Sequence, residues 1–183
     1  MNDLVTIQPV KYHHAEQVQQ YASDERVAAT TNIPHPYPAG GAKAFVERAI
    51  AGRETGSRYA FAVLTDGSFA GVITLNTVDR HAGTAELDYW VAATFWNSGV
   101  GTAAISEAIQ YAFDELGLSM LASACLLENV ASVRVLEKNG FEKVGEFIND
   151  GKYGTKFMGR RMSQLELHRS ARPEPDHSVY PPG

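Results

Sequence analysis

Apolar residues recur along this chain with two different spacings, which predict strands and helices in an ordered series. Short apolar runs, several alternating with polar positions, are typical of strands, whereas apolar residues three or four positions apart are typical of helices. Strands are predicted at residues 5–10, 59–64, 69–75, 84–91, 120–127, 141–148 and 153–167. Helices are predicted at residues 15–23, 42–51, 100–116 and 131–138, with Gly52, Gly117 and Gly140 as the expected stops.

The order of these elements predicts an α/β fold built on one mixed sheet. Asp66-Gly67 favours a hairpin between the second and third strands, and Asp150-Gly151 separates the last two. A strand, a helix and a further strand follow one another in the centre of the chain. The sequence therefore predicts a single α/β domain with a mixed, mostly antiparallel sheet flanked by helices. Alternating prolines exclude regular structure from residues 33–38.

Composition and charge are those of an ordinary globular domain. The chain has 183 residues, of which 44% are apolar and 20% charged, and a formal net charge of −5. This charge argues against nucleic acid as the main partner, since phosphate contacts need clustered Lys and Arg, and it suits a cationic acceptor such as an amine. A lone cysteine, Cys125, excludes an internal disulfide and favours a reducing cytoplasm. Neither a signal peptide nor a bilayer-length apolar run is visible, so no membrane partner is expected.

The composition changes near residue 170. Four of the eight prolines fall in the last 14 residues. We therefore predict a folded domain over residues 1–168 and a disordered, Pro-rich tail over residues 169–183. The alternative is an arm that docks on a partner subunit.

The stretch over residues 95–104 carries the first candidate chemistry. Gly99 and Gly101 lie between a predicted strand and a predicted helix. Glycine lets the backbone approach an anion closely, and the first turn of a helix offers free N–H groups and a positive dipole end. The loop is thus a candidate phosphate cradle. The alternative is a strand-to-helix turn that needs glycine only for its geometry.

Three segments, in the right order, resemble motifs of the GNAT superfamily of acyl-CoA-dependent N-acyltransferases. Residues 85–91 read Ala-Glu-Leu-Asp-Tyr-Trp-Val, residues 96–102 read Trp-Asn-Ser-Gly-Val-Gly-Thr, and residues 128–141 contain Asn-x-x-Ser and Lys-Asn-Gly-Phe. The match is closest to the branch typified by the ribosomal-protein alanine acetyltransferases (RimJ/RimL-like) and covers roughly residues 3–167. It implies a GNAT-type sheet whose two central strands, 84–91 and 120–127, splay apart.

The resemblance implies acetyl-CoA as co-substrate. The pyrophosphate would lie on backbone N–H groups of the loop at Asn97, Ser98, Gly99, Val100, Gly101 and Thr102. Backbone groups near Trp90 and Val91 would hold the pantetheine as an added strand, and Asn129 would bond to it. The family usually has glycine at position 97 and often a basic or amide side chain at position 98. Because this cation is missing, we expect the affinity for the pyrophosphate to depend on backbone groups and the helix dipole alone.

Catalysis in this family needs a base for the amine and a donor for the departing thiolate. Glu86 and Asp88 share one face of their strand by two-residue alternation, and either carboxylate could accept the proton. Ser132 matches a family serine that donates to the sulfur. Asp150 is a third candidate base and Tyr153 a weaker donor. The alternatives are a solvated sheet face for the carboxylates, a hairpin turn for Asp150, and helix capping for Asn129 and Ser132.

Two functions remain open from the sequence. The first is an N-acetyltransferase that moves an acetyl group to a primary amine, either a protein N-terminus or a small molecule, by direct attack in a ternary complex. The second is a catalytically silent protein that binds acyl-CoA as a sensor or assembly module, an alternative that the missing loop cation favours. The acceptor is expected near residues 29–37 and 149–153. No metal is expected, because the histidines are scattered, and a homodimer is expected by analogy.

Overall fold

A seven-stranded mixed sheet forms the centre of the computed structural model, which describes residues 4–170. Its order is β1-β2-β3-β4-β5-β7-β6, and every neighbouring pair is antiparallel except β4 with β5. The strands are β1 Val5–Pro9, β2 Tyr59–Thr65, β3 Ser68–Asp79, β4 Thr84–Val91, β5 Met120–Leu126, β6 Glu142–Ile148 and β7 Arg161–His168. The predicted α/β class, with a mostly antiparallel sheet, is confirmed.

Within residues 4–170, five α-helices cover the two faces of the sheet. They are α1 Ala15–Ala22, α2 Glu25–Thr30, α3 Gly41–Thr55, α4 Val100–Gln110 and α5 Val130–Lys138. Successive residues of each strand point to opposite faces, so the sheet buries one apolar layer under α4 and another under α1 and α3. Ile105 of α4 and Leu87 of β4 are fully buried in the first layer, and Val18 of α1 and Val46 of α3 in the second.

The parallel pair at the middle of the sheet is short. Only Thr84–Glu86 of β4 pair with Met120–Ala122 of β5, although both strands continue beyond these residues. Just past the last pair, the Ser123 hydroxyl donates to the Leu87 carbonyl oxygen at 2.8 Å. The two strands therefore separate over the second half of β4. This gap is the splay that the sequence predicts.

Several predicted boundaries are wrong. Helix α3 continues through Gly52 to Thr55, and Gly56, which adopts a left-handed conformation, caps it. The sequence analysis missed α2, which Asp24 caps through the Arg26 N–H. The last strand begins at residue 161 instead of 153, because the side chain of Asn149 bonds to three backbone groups of the intervening loop.

The C-terminal end of the described residues bears on the predicted boundary between the domain and the tail. Residues 171–183 of the predicted tail lie outside the described residues. Arg169, which the sequence assigns to that tail, packs on the domain: its backbone N–H donates to the Ser119 carbonyl, and its guanidinium bonds Phe113 and Asp114. Within residues 4–170, no helix is both long and apolar enough to cross a membrane.

Candidate active site

A cavity of about 1120 Å³ passes through the gap between β4 and β5. On one face of the sheet it is lined by α3 and by the segment around residues 30–38, and on the other face by the start of α4 and by α5. Of the residues singled out from the sequence, those lining it are Asp88, Trp90, Val91, Asn97, Gly99, Gly101, Thr102, Asn129 and Ser132. The structure therefore brings most of the predicted site together in one space.

The backbone of β4 offers hydrogen-bonding groups to this gap at every second residue. The Ala92 N–H bonds to Ala70 of β3, so the even-numbered residues of β4 face β3 and the odd-numbered residues face the gap. The Trp90 carbonyl accordingly lies against Gly71, where a Cβ would come within 2.2 Å of it. The backbone of Trp90 is thus turned away from the predicted pantetheine position, although its indole lines the cavity. Tyr89 and Val91 face that position instead, and the Val91 carbonyl already accepts from the Trp96 indole at 2.8 Å.

In the loop before α4, the structure explains how Asn97 and Ser98, the two departures from the family pattern, are accommodated. Asn97 adopts a left-handed backbone with φ of 60°, a region that Asn tolerates better than most non-glycine residues. The Ser98 hydroxyl donates to the Phe95 carbonyl at 2.6 Å, so it closes the loop rather than facing the cavity. The side chain of Val100 is buried in the core, which leaves only its backbone for binding. The first-turn N–H groups of α4 remain open toward the cavity.

Helix α5 brings cations to the same end of the cavity. The side chains of Arg134 and Lys138 line it, one helical turn apart. The Asn139 amide fixes this helix against the first turn of α4 by donating to the Thr102 carbonyl at 3.2 Å. The sequence analysis missed both cations, although their spacing of four residues was a readable signal. They place positive charge where the loop itself lacks it.

Ser132 and Tyr89 form a hydroxyl pair inside the gap. Their oxygens are 3.0 Å apart, and Asn129 caps α5 by accepting from the Ser132 N–H at 3.2 Å. Burial raises the pKa of Tyr89 to about 12, partly offset by the Ser132 hydroxyl, so the phenol stays protonated at neutral pH. The buried Cys125 thiol lies beside them, and burial raises its pKa as well. This cluster can donate protons, and Tyr89 is a member that the sequence analysis did not assign.

The two candidate bases of β4 have different surroundings. Asp88 lines the cavity, and its Oδ2 accepts from the Asn76 amide at 2.6 Å. Its pKa is raised, chiefly by loss of solvation among the cavity walls and also by the charge of Glu86, while the Asn76 bond and Arg58 oppose the rise. Glu86 is absent from the cavity lining, and its Oε1 is paired with Lys152 Nζ at 3.1 Å. The surroundings favour Asp88 as the carboxylate that reaches a ligand.

The weaker candidates of the last loop lie elsewhere. Asp150 accepts from the Lys152 N–H within its own turn, as expected of a turn residue, and the Tyr153 ring packs on Phe147. Neither residue lines the cavity. Among residues 4–170, no three His, Cys, Asp or Glu side chains cluster in a way that could hold a metal ion.

The far end of the cavity contains residues that no sequence motif marked. Arg48 and Arg58 line it together with Tyr37, on the face of the sheet opposite α4. Lys156 closes this end from the last loop by donating to the carbonyls of Ala28, Thr31 and Ile33. The predicted acceptor segment over residues 29–37 therefore does border the cavity.

The sheet opened between two parallel strands, with a helix N-terminus at the gap, defines an N-acetyltransferase domain. The chain belongs to the GNAT acetyltransferase family, since a family model described as Acetyltransferase (GNAT) domain matches residues 5–142. This finding confirms the resemblance drawn from the three motifs.

Curated relatives share part of the chain. Ribosomal N-acetyltransferase YdaF of Bacillus subtilis (strain 168) is 40% identical over 91 residues, which are 50% of this chain and 49% of YdaF. The ribosomal-protein-serine acetyltransferase of Escherichia coli (strain K12) is 27% identical over 95 residues, 49% of this chain and 53% of the relative. The match thus spans about half the length of these two relatives.

Solved structures share nearly the whole fold. RimJ of Mycobacterium smegmatis, in complex with CoA-disulfide, has a TM-score of 0.82 at 19% identity, covering 91% of this chain and 83% of RimJ. The spermidine N-acetyltransferase of Vibrio cholerae, in complex with CoA and spermine, has a TM-score of 0.76 at 15% identity, covering 90% and 95%. At such identities the likeness shows the fold alone.

Proposed function

We propose that this protein is an acetyl-CoA-dependent N-acetyltransferase that moves an acetyl group to a primary amine by direct attack in a ternary complex. One observation carries the proposal. The cavity crosses the sheet, with open helix amides and two cations at one end and the Asp88 carboxylate at the other. Two substrates can therefore enter from opposite faces and meet in the gap of β4.

The end of the cavity at α4 and α5 fits acetyl-CoA. The first-turn N–H groups of α4, with Arg134 and Lys138, would bind the phosphates. The gap-facing backbone of Tyr89 and Val91 would bind the pantetheine amides and the thioester oxygen, as an added strand does. Several solved relatives of the same fold hold CoA or acetyl-CoA, which supports this assignment.

The reaction then needs one proton acceptor and one proton donor. As the amine nitrogen bonds to the acetyl carbon and the carbon–sulfur bond breaks, Asp88 would take the proton that the nitrogen loses. The thiolate would receive a proton from the hydroxyl pair of Ser132 and Tyr89. The raised pKa of Asp88 makes its ionised carboxylate a stronger base than that of an ordinary aspartate.

The main argument for the alternative function, a catalytically silent protein that binds acyl-CoA, no longer holds. That alternative rested on the missing cation at position 98, and Arg134 and Lys138 line the same end of the cavity. The protonated Tyr89 and the paired Ser132 also form a donor that binding alone does not require.

The relatives indicate more than one class of acceptor. Named relatives act on ribosomal proteins or on spermidine. The acceptor that we propose is therefore either a protein N-terminus or a small amine. A cytoplasmic location and a homodimer remain predictions.

The test is a thiol-release assay with acetyl-CoA and a panel of amines and Ala- or Ser-starting peptides, with calorimetry of acetyl-CoA binding alongside. Turnover with at least one acceptor is the expected result. Binding without turnover across the panel would favour the silent protein. Absence of acetyl-CoA binding would contradict the assignment of the α4 and α5 end.

A further inference from the structure

Two arginines line the acceptor end of the cavity without a partner. Among the described residues, neither Arg48 nor Arg58 makes an ion pair or a side-chain hydrogen bond, and Arg58 Nε is buried and unsatisfied. Four of the seven other arginines within residues 4–170 are paired with acids, in Arg26–Asp24, Arg160–Glu128, Arg161–Glu146 and Arg169–Asp114. A buried, unpaired guanidinium donor is costly unless a ligand satisfies it.

The fold holds Arg58 in this position. Its guanidinium lies 5.9 Å from the centre of the Phe45 ring, and a Cβ at Gly52 would approach the Arg58 Cβ to 2.7 Å. Glycine inside helix α3 therefore makes room for this side chain, although glycine has a low helix propensity.

The two guanidiniums are close enough to repel each other. Loss of solvation lowers the pKa of Arg58, the charge of Arg48 lowers it further, and only Asp88 opposes these effects. Tyr37 adds a hydroxyl beside Arg48, whose positive charge lowers the pKa of the phenol against the larger effect of burial. Two cations and a phenol around one space are a typical arrangement for binding an anion.

We propose that the acceptor is an amine that also carries an anionic group, a carboxylate or a phosphate; this inference rests on the acetyl transfer proposed above. Arg48 and Arg58 bind the anion, and Asp88 receives the amine. The two arginines lie on the α3 face, away from the α4 and α5 end assigned to acetyl-CoA. The acceptor thus differs from a purely cationic polyamine, which the two guanidiniums would repel.

The test compares acceptors that differ only in the anion. The pairs are β-alanine with β-alaninamide, O-phosphoethanolamine with ethanolamine, and the peptide Ala-Glu-amide with Ala-Gln-amide. In at least one pair, kcat/KM of the anionic member is expected to exceed that of the neutral member by about tenfold, because charge-assisted hydrogen bonds from the arginines stabilise the bound anion.

Variants then assign the preference to the two arginines. Arg48→Gln and Arg58→Gln should each reduce the anionic-to-neutral ratio to within about threefold. Arg58→Lys, which keeps the charge but loses the planar fork, should retain part of the ratio. Lys43→Gln removes an exposed cation from the same helix and should leave the ratio unchanged.

The outcomes separate this proposal from the proposed function. Equal rates for both members of every pair would overturn the anion site and leave acetyl transfer standing. If no amine reacts, titration of O-phosphoethanolamine and Ala-Glu-amide into the CoA-saturated protein decides. Binding that Arg58→Gln abolishes would uphold the anion site without transfer, and no binding would overturn it.

Discussion

At the residue scale, two carboxylates on one strand face are distinguished by what surrounds them. Glu86 and Asp88 have equivalent positions by alternation along β4, and the sequence gives no means of choosing between them. The structure pairs Glu86 with Lys152 and directs Asp88 into the cavity beside Asn76. The choice of base is therefore a tertiary property.

Asp88→Asn is expected to lower kcat by about 10²- to 10⁴-fold while leaving acetyl-CoA binding intact, because it removes the proton acceptor alone. Glu86→Gln is the matched control on the same strand and should cost less than about threefold. The measurements are steady-state kinetics and calorimetry. A larger loss in Glu86→Gln than in Asp88→Asn would reverse the assignment.

The pH profile gives a second measure of Asp88. Since its pKa is raised and the base must be ionised, activity should fall as the pH drops through a value above ~4, the ordinary range of a carboxyl. The acid limb of kcat/KM reports this pKa of the free enzyme and should disappear from the residual activity of Asp88→Asn. An unchanged limb in the variant would assign it to another group.

His14 makes stability depend on pH. It is 2% exposed, its Nδ1 accepts from the Lys11 N–H at 3.0 Å, and burial, followed by the charges of His13 and Lys11, lowers its pKa. The unfolded chain therefore binds the proton more readily. The stabilisation is complete above the unfolded pKa of about 6.5 and is lost as the pH falls toward the lowered folded value.

Urea unfolding at a series of pH values tests this. The free energy of unfolding should fall below about pH 6.5 in the natural protein, and His14→Gln should weaken that dependence. His13→Gln changes the exposed neighbour and should keep most of it. The same slope in both variants would show that a different group titrates.

At the element scale, hydrophobic periodicity predicted the seven strands and four of the helices. It could not locate α2, the true end of α3, or the loop before β7. Each of these depends on contacts of particular residues that periodicity does not register, such as Arg58 against Gly52 and Asn149 against its loop. For the same reason, the motifs marked the acetyl-CoA end of the cavity but not the arginines of the acceptor end.

Lys156 connects two elements that border the acceptor end. Because its ammonium bonds three carbonyls near the end of α2, Lys156→Met should destabilise the fold by about 1–2 kcal/mol and raise the acceptor KM more than the acetyl-CoA Kd. Thermal unfolding and kinetics give the two readouts. Lys152→Met, in the same loop, is the control and should affect stability less. Equal shifts in KM and Kd would contradict a local role.

At the scale of the whole molecule, the charge of the cavity is opposite to that of the chain. The formal net charge is −5, yet the charged residues lining the cavity are four cations and Asp88. The sequence total suggested a cationic acceptor such as an amine, and the distribution of charge in three dimensions favours an amine that also carries the anionic group proposed above. Anionic ligands are attracted at short range within a protein whose outer surface is acidic.

Truncation locates the end of the folded domain. A chain that stops after Ser170 should keep the melting temperature of the full chain, whereas one that stops after His168 loses the three bonds of Arg169 and should melt lower by a few degrees. Differential scanning calorimetry measures both. Identical melting temperatures of the two truncated chains would indicate that the folded domain ends at residue 168.

The short parallel pairing between β4 and β5 also makes the gap the place where neighbouring strands of the sheet share the fewest ladder pairs. The strands on one side of the gap come entirely from residues before 92, and those on the other side from residues after 119. Three ladder pairs and the helices packed across the sheet join them. A ligand seated in the gap would supply the missing rungs, so acetyl-CoA binding should make local opening along the edges of β4 and β5 less frequent.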